Sequence, residues 1–295
     1  MRFELTDEQV GFARSLTDLM RRADSVAVAR AWASGDTAPG VDLWQRVADQ
    51  GVTALVAPED AGGLGGTLVD LAVAFEVLGH ELAVGPWIES AALAPQADGS
   101  MVTAAAPPVA PYAVDADVAR LLHGTAGAGH ASVDSTRRLF EVSGADTGAP
   151  FDGVALDRAA LASAAQLLGC GERILADSVA YVKQRKQFGR EIGSYQAIKH
   201  RLADVRIALD FARPVVFGAA LGAVPVSAAK VAAGDAAQLA ARSGLQVHGA
   251  IGYTAEFDLS LWLNRVRALL SAWGTPAHHR ARVLAALTAD TRSAS

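Results

Sequence analysis

A mainly helical fold with a small β insert is what the sequence predicts, and three observations carry that expectation. The chain is 51% hydrophobic but only 6% aromatic. Its apolar share is therefore mostly Ala, Val and Leu, a mix that suits helices better than a β-sandwich. From Asp157 onward the apolar residues recur at spacings of three and four. Between 95 and 153, proline pairs and short apolar runs replace that period.

Thr6 with Gln9 three residues on is a capping-box pattern, and Phe12, Leu16 and Leu19 follow at helical spacing. Asp42 is expected to cap a second short helix through Trp44, Val47 and Ala48, closed by Gly51. The run VTALVAPED reads as an extended loop, Gly62 to Gly66 (GGLGG) as a flexible turn, and 68–78 as another helix ending at Gly79. Pro107, Pro108, VARLLH and RRLFEV suggest a few short strands, too little material for a closed barrel. Leu161, Leu168, Leu175, Val179 and Val182 then mark one face of a long helix. Ile198, Leu202, Val205, Leu209, Ala212 and Val216 mark the next, with Pro214 as an expected kink or break. The stretches 226–247, 259–270 and 277–287 complete an antiparallel bundle.

Twenty-six Lys and Arg against 31 Asp and Glu give a net charge of −5, without the basic stripe of a nucleic-acid reader. Cys170 is the only cysteine, which excludes an internal disulfide framework and a Cys-rich metal site. MRFELTDEQVGF lacks the apolar core of a signal peptide, and the longest apolar stretch, 218–229, is interrupted by Pro225. A cytoplasmic chain with no membrane segment is expected.

Two segments carry candidate chemistry. Arg185-Lys186-Gln187-Phe188-Gly189-Arg190 falls where the first long helix of the bundle ends. Arg185 offers a planar fork suited to phosphate. The alternative reading is a cation placed against a helix C-terminus, with Gly189 as the terminating residue. Gln246 to Thr254 is a glycine-punctuated turn through which backbone can approach a ligand closely. His248 alone reads as a packed, hydrogen-bonded residue, and His278-His279 as a solvated helix face without metal-ligand spacing. The loop at 62–66 does not fit a dinucleotide fingerprint.

In the order FELTDEQ, LVAPEDAGGLGG, RKQFGREIGSYQAIKHRLADV and QVHGAIGYTAE, the chain resembles the acyl-CoA dehydrogenases over residues 3–90 and 157–290. The resemblance implies an N-terminal helical domain over 1–94, a reduced middle β domain over 95–155 and a C-terminal four-helix bundle over 156–295. It implies FAD as cofactor, and α,β-desaturation of an acyl-CoA thioester by removal of an α-proton to a carboxylate and a β-hydride to the flavin. Family residues that act on FAD across a subunit interface match Arg185, Gln187, Phe188, Gln246 and Gly249, and a further cofactor-binding glutamine of the family matches Gln196. Thr275 matches the threonine of the family's TxQ. Ala250 replaces the second glycine of the QxxGG turn.

The departures fall elsewhere. Trp273 stands where many members carry the catalytic Glu of YEGT, Ala159 at the alternative base position, and Ala160 at the substrate-contacting arginine, although the neighbouring Asp157 is kept. The glutamine of TxQ and the Thr-rich flavin segment of the middle domain have no equivalent. No catalytic residue and no metal ligand is therefore assigned to this chain. By its resemblance, it looks like the base-lacking subunit of an α2β2 acyl-CoA dehydrogenase of the kind that acts on steroid side-chain thioesters. Its implied partners are a catalytic subunit, an acyl-CoA bound mainly by that subunit, and electron-transfer flavoprotein as acceptor. Two alternatives stand beside it: a self-sufficient homo-oligomer using Asp157, Glu172 or Glu256 as base, and a flavin-free structural relative. Trp273 is expected to fill the space of the acyl chain and carboxylate, and so to close this subunit's own pocket.

Overall fold

The computed structural model describes residues 4–144, 151–187 and 189–293; Phe188 lies outside the described residues. Helix α1 (Asp7–Arg22) starts from the expected box, with the Gln9 amide nitrogen donating to Thr6 Oγ1 and the Thr6 amide to Gln9 Oε1. Asp24, at φ +51°, caps α2 (Ser25–Ala33) by accepting from the Ala27 amide. Helix α3 (Ala38–Ala48) begins earlier than expected, because Pro39 sits in its first turn, where a missing N–H costs nothing. Asp42 lies inside that helix and caps nothing.

The extended loop expected after Gly51 is instead wound into 3-10 turns at Val52–Ala54 and Glu59–Ala61. The glycine run behind it is a packed loop. The amides of Gly63, Leu64, Gly65 and Gly66 donate to the carbonyls of Pro58, Ala54, Ala57 and Leu55. A second capping box, Thr67 with Asp70, opens α4 (Leu68–His80). A π-helical turn, Ile88–Leu93, follows in a stretch for which the sequence suggested no element. Ser90 anchors this turn to the first strand, since its hydroxyl donates to the Val102 carbonyl and accepts from the Val102 amide.

The middle segment forms short strands, as expected. Strand β1 (Val102–Thr103) pairs in parallel with β3 (Arg120–Leu121). The antiparallel order β2 (Ala113–Val114), β5 (Leu139–Ser143), β4 (Thr125–His130) makes a three-stranded sheet. A buried ion pair ties this segment to the rest. Arg265 Nε donates to Asp134 Oδ2 at 2.5 Å, Nη2 to Thr136 Oγ1 at 2.7 Å and Nη1 to the Ala83 carbonyl at 2.8 Å.

Helix α5 (Gly153–Gln184) is capped by Asp152. Helix α6 (Gln196–Ala220) runs unbroken through Pro214, because buried Ala212 and Val216 hold both sides of the proline in the core. Helices α7 (Val226–His248), α8 (Leu259–Ser271) and α9 (Pro276–Ser293) complete the set. The bundle and the N-terminal helices share one apolar core. At the α4–α5 crossing the backbones touch. A methyl on Gly169 would stand 1.9 Å from the Glu76 carbonyl oxygen, and one on Gly79 would stand 2.1 Å from that of Gln166. No described helix is long and apolar enough to cross a membrane.

Candidate functional site

The expected site residues fall into two groups. Helix α5 stops at Gln184, and Arg185 leaves it in an extended conformation. The chain then forms a tight hairpin, β6 (Lys186–Gln187) against β7 (Arg190–Glu191), with Gly189 at φ +80° in its turn. Gly189 therefore closes a hairpin and not the helix, which corrects the helix-terminating role considered above. Arg185 is exposed, and its guanidinium makes no hydrogen bond or ion pair among the described residues. Gln187 is exposed, and Gln196 opens α6 at the surface. The end of α7 sits nearby, since Tyr181 stacks on His248 with ring centroids 4.3 Å apart. Gln246 is exposed there. Gly249 adopts φ +63° with nothing within 4 Å of where a Cβ would stand, so its backbone borders open space. His248 is packed as expected, with Nδ1 bonded to the Gly244 carbonyl at 2.8 Å. An unpaired guanidinium, surface amides and an open glycine fit an extended anionic cofactor lying against this end from outside the chain.

The second group lies at the opposite end of the bundle. There Ser227, near the start of α7, bonds His279 of α9 at 3.0 Å. His248 closes the same helix, so by helical rise the two ends are roughly 30 Å apart. Trp273 and Thr275 sit in the α8–α9 connection. Trp273 is only 2% exposed and holds φ +59°, strained for an aromatic residue. His279 keeps that turn in place. Its Nε2 faces the Trp273 carbonyl at 2.9 Å, and a carbonyl only accepts, so Nε2 carries the proton and Nδ1 accepts from the Ser227 hydroxyl. At 1% exposure, His279 is a core residue rather than part of the solvated face expected for it. Burial pushes its imidazole down to about 4. The Thr275 hydroxyl accepts from the His278 amide at 3.2 Å.

Trp273 does not close the pocket. A cavity of about 730 Å³ remains between the β segment and the α8–α9 connection, with Trp273, Thr275 and His278 on one side and Pro108, Val109 and Leu139 on the other. Glu89 and Arg137 also reach it, and the sequence reading missed both. Glu89 sits in the π-helical turn at 2% exposure, its Oε2 without a partner. Burial pushes its carboxyl up to about 7 against the opposing charge of Arg137, and buried Asp115 adds to the rise. A lone acid inside the apolar run PWIESAALAP was the available signal.

The alternative bases are engaged elsewhere. Asp157 is held by Arg282 through two bonds of 2.5 and 3.0 Å. Glu172 is held by Arg206 through bonds of 2.7 and 2.6 Å. None of Asp157, Glu172 and Glu256 lines the cavity. Ala159 and Ala160 are buried in α5. Among the described residues no cluster of three His, Cys, Asp or Glu could hold a metal ion.

This architecture, helices around a short β segment with a cavity at the α8–α9 turn, is that of a flavoprotein oxidoreductase family. The sequence profile of the acyl-CoA dehydrogenase N-terminal domain matches residues 6–101, and that of the C-terminal domain residues 146–288. The acyl-CoA dehydrogenase IpdE2 of Mycobacterium tuberculosis is 34% identical over 88% of this chain and 91% of its own length. Butyryl-CoA dehydrogenase from Megasphaera elsdenii shares the fold at a TM-score of 0.82, with 20% identity over 98% of this chain and all of that one. The ChsE4-ChsE5 complex from M. tuberculosis shares it at 0.80, with 21% identity over 98% and 99% of the two chains. The chain belongs to the acyl-CoA dehydrogenase family.

Proposed function

We propose that this chain is the base-lacking subunit of a heteromeric, FAD-dependent acyl-CoA dehydrogenase, and that it completes the FAD site of a catalytic partner in an α2β2 assembly. One observation carries the reading. The residues suited to the cofactor's phosphates face outward at one end of the bundle, while Trp273 occupies the base position roughly 30 Å away at the other. Bound FAD supplies the hydride acceptor for α,β-desaturation of the thioester.

This chain's part is to bind and orient. Arg185 presents two parallel donors to a phosphate, and Gln187, Gln196 and Gln246 offer amide donors and acceptors around it. Gly249 admits the cofactor to its backbone, and Phe188 belongs to the same motif. Thr275, beside the cavity, is the family match that would touch a flavin held by this chain's own side. Trp273 cannot take a proton, because its indole nitrogen only donates. The α-proton therefore goes to the partner's carboxylate, with a steroid-derived acyl-CoA as substrate, electron-transfer flavoprotein as acceptor and the cytoplasm as location. The division at 94/95 and 155/156 belongs to the same proposal.

Purifying the chain alone, and again with the product of the neighbouring gene, tests this reading. Flavin absorbance and dehydrogenase activity are expected only in the co-purified complex. Stoichiometric FAD in the chain alone would overturn it.

A second reading, a self-sufficient enzyme, gains one point from Glu89, a buried acid that lines the same cavity as Trp273 and whose carboxyl burial pushes up to about 7. Activity of the chain alone that disappears in Glu89→Gln would favour it.

A further inference from the structure

We propose that the cavity at Trp273 is a binding site for a compact alicyclic or branched monocarboxylate, read by Arg137 and Glu89 together. The inference stands apart from the heteromeric reading, because it concerns this chain's own cavity and needs no flavin.

The polar equipment of the cavity is uneven. Its deep end holds Arg137, 6% exposed, and Glu89, 2% exposed. The Arg137 side chain makes no hydrogen bond among the described residues, and Glu89 Oε2 is a buried oxygen without a partner. Buried polar groups are normally satisfied, so the unpartnered Glu89 oxygen, in a cavity that Arg137 also lines, marks a place for a ligand's polar end. The adjacent basic and acidic groups have partners of their own. Arg138 pairs with Asp115 and Asp117, and Asp134 pairs with Arg265. That leaves Arg137 and Glu89 for whatever enters.

Charge chooses the ligand. Arg137 does not hold Glu89 ionised, and Asp115 behind it disfavours a second negative charge. Near neutrality a large share of Glu89 is the acid, so the positive charge of Arg137 is answered only by Asp115 and Asp134, each already paired with another arginine. Arg267 and His278 add basic groups nearer the opening, and Tyr112 adds a hydroxyl. A carboxylate would accept from the Arg137 fork with one face and from the protonated Glu89 with the other, leaving the buried set neutral. A neutral alcohol or ketone would leave the guanidinium unpaired. The remaining wall, Pro108, Val109, Val114, Val133, Leu139 and Trp273, is apolar, and about 730 Å³ leaves room for a compact alicyclic or branched body.

The test is calorimetric titration of the full-length chain, in the assembly in which it purifies, with 1-adamantanecarboxylate and with 1-adamantanecarboxamide. Saturable 1:1 binding of the carboxylate is expected, with the amide at least tenfold weaker. Arg137→Met should abolish that preference, and Glu89→Gln should keep carboxylate binding within a few-fold, because the amide can donate the same bond. Should Arg137→Met fail to fold, Val133→Trp at the exposed rim narrows the cavity and should weaken binding. Three results would each overturn the proposal: no saturable binding to the unmodified chain, equal affinity for acid and amide, or undiminished binding in Val133→Trp. Flavin content does not enter any of these readouts, so the outcome is separate from that of the heteromer test.

Discussion

The Nε2 of His279 donates to the carbonyl of Trp273 at 2.9 Å, so the α8–α9 turn is held by a neutral, buried imidazole. Burial lowers its pKa to about 4 from 6.5, and Lys230, His278 and Arg282 oppose its protonation. The folded chain therefore binds a proton at His279 less readily than the unfolded chain does. The stabilisation is complete above pH 6.5 and is lost as pH falls through 4. Urea midpoints at pH 7, 5.5 and 4.5 should fall steadily, and His279→Gln should flatten the decline at some cost in stability at pH 7.

Glu89 contributes with the opposite sign. Its carboxyl is raised to about 7, so its share of stability is complete below pH 4.5 and lost as pH rises through 7. Glu89→Gln stays neutral throughout and should gain on the parent by about 3 kcal/mol across that window. A constant difference between the two proteins from pH 4.5 to 8 would show that Glu89 is solvated.

On the heteromeric reading proposed above, Arg185→Ala should lower the FAD content of the complex without disturbing assembly. Loss of a charge-assisted contact of about 1.5–3 kcal/mol corresponds to roughly ten- to hundredfold weaker binding. Flavin occupancy at limiting FAD, measured beside size-exclusion profiles, checks this. Unchanged occupancy would reduce Arg185 to a helix-end cation.

Trp273→Glu in this subunit should not create a second active site. A carboxylate there would sit in a mostly buried turn and tend to stay protonated. Turnover and flavin per heterodimer should match the unmodified complex; a doubling of both would mean that only the base was missing.

Arg265→Ala should be severely destabilising, by about 3–5 kcal/mol, because it leaves Asp134 buried without its counter-charge. Arg265→Ala combined with Asp134→Ala should recover part of that loss in chemical denaturation.

The helices of the bundle were legible because their apolar period runs over many turns, and both capping boxes, Thr6 with Gln9 and Thr67 with Asp70, form. For the second box the sequence reading had only the helix. Local signals misled where tertiary contacts decide. Asp42 looked like a cap but lies inside a helix started by Pro39. Pro214 looked like a break but is carried through by its buried neighbours. His279 looked solvated because nothing nearby in sequence reveals that Ser227, 52 residues away, supplies its partner. The outward-facing residues near Arg185 were legible as a motif. The cavity was not, because Glu89 and Arg137 meet there from segments separated by the first four strands.

The contact of α4 and α5 at Gly79 and Gly169 bears on how the molecule comes apart. With carbonyls pressed against both glycines and one apolar core running across the crossing, the N-terminal helices cannot loosen while the bundle stays whole. Heat or denaturant should therefore take the chain through a single cooperative transition, coincident by far-ultraviolet circular dichroism and tryptophan fluorescence. A single transition would mean that the threefold division suggested by sequence does not mark independently folding units.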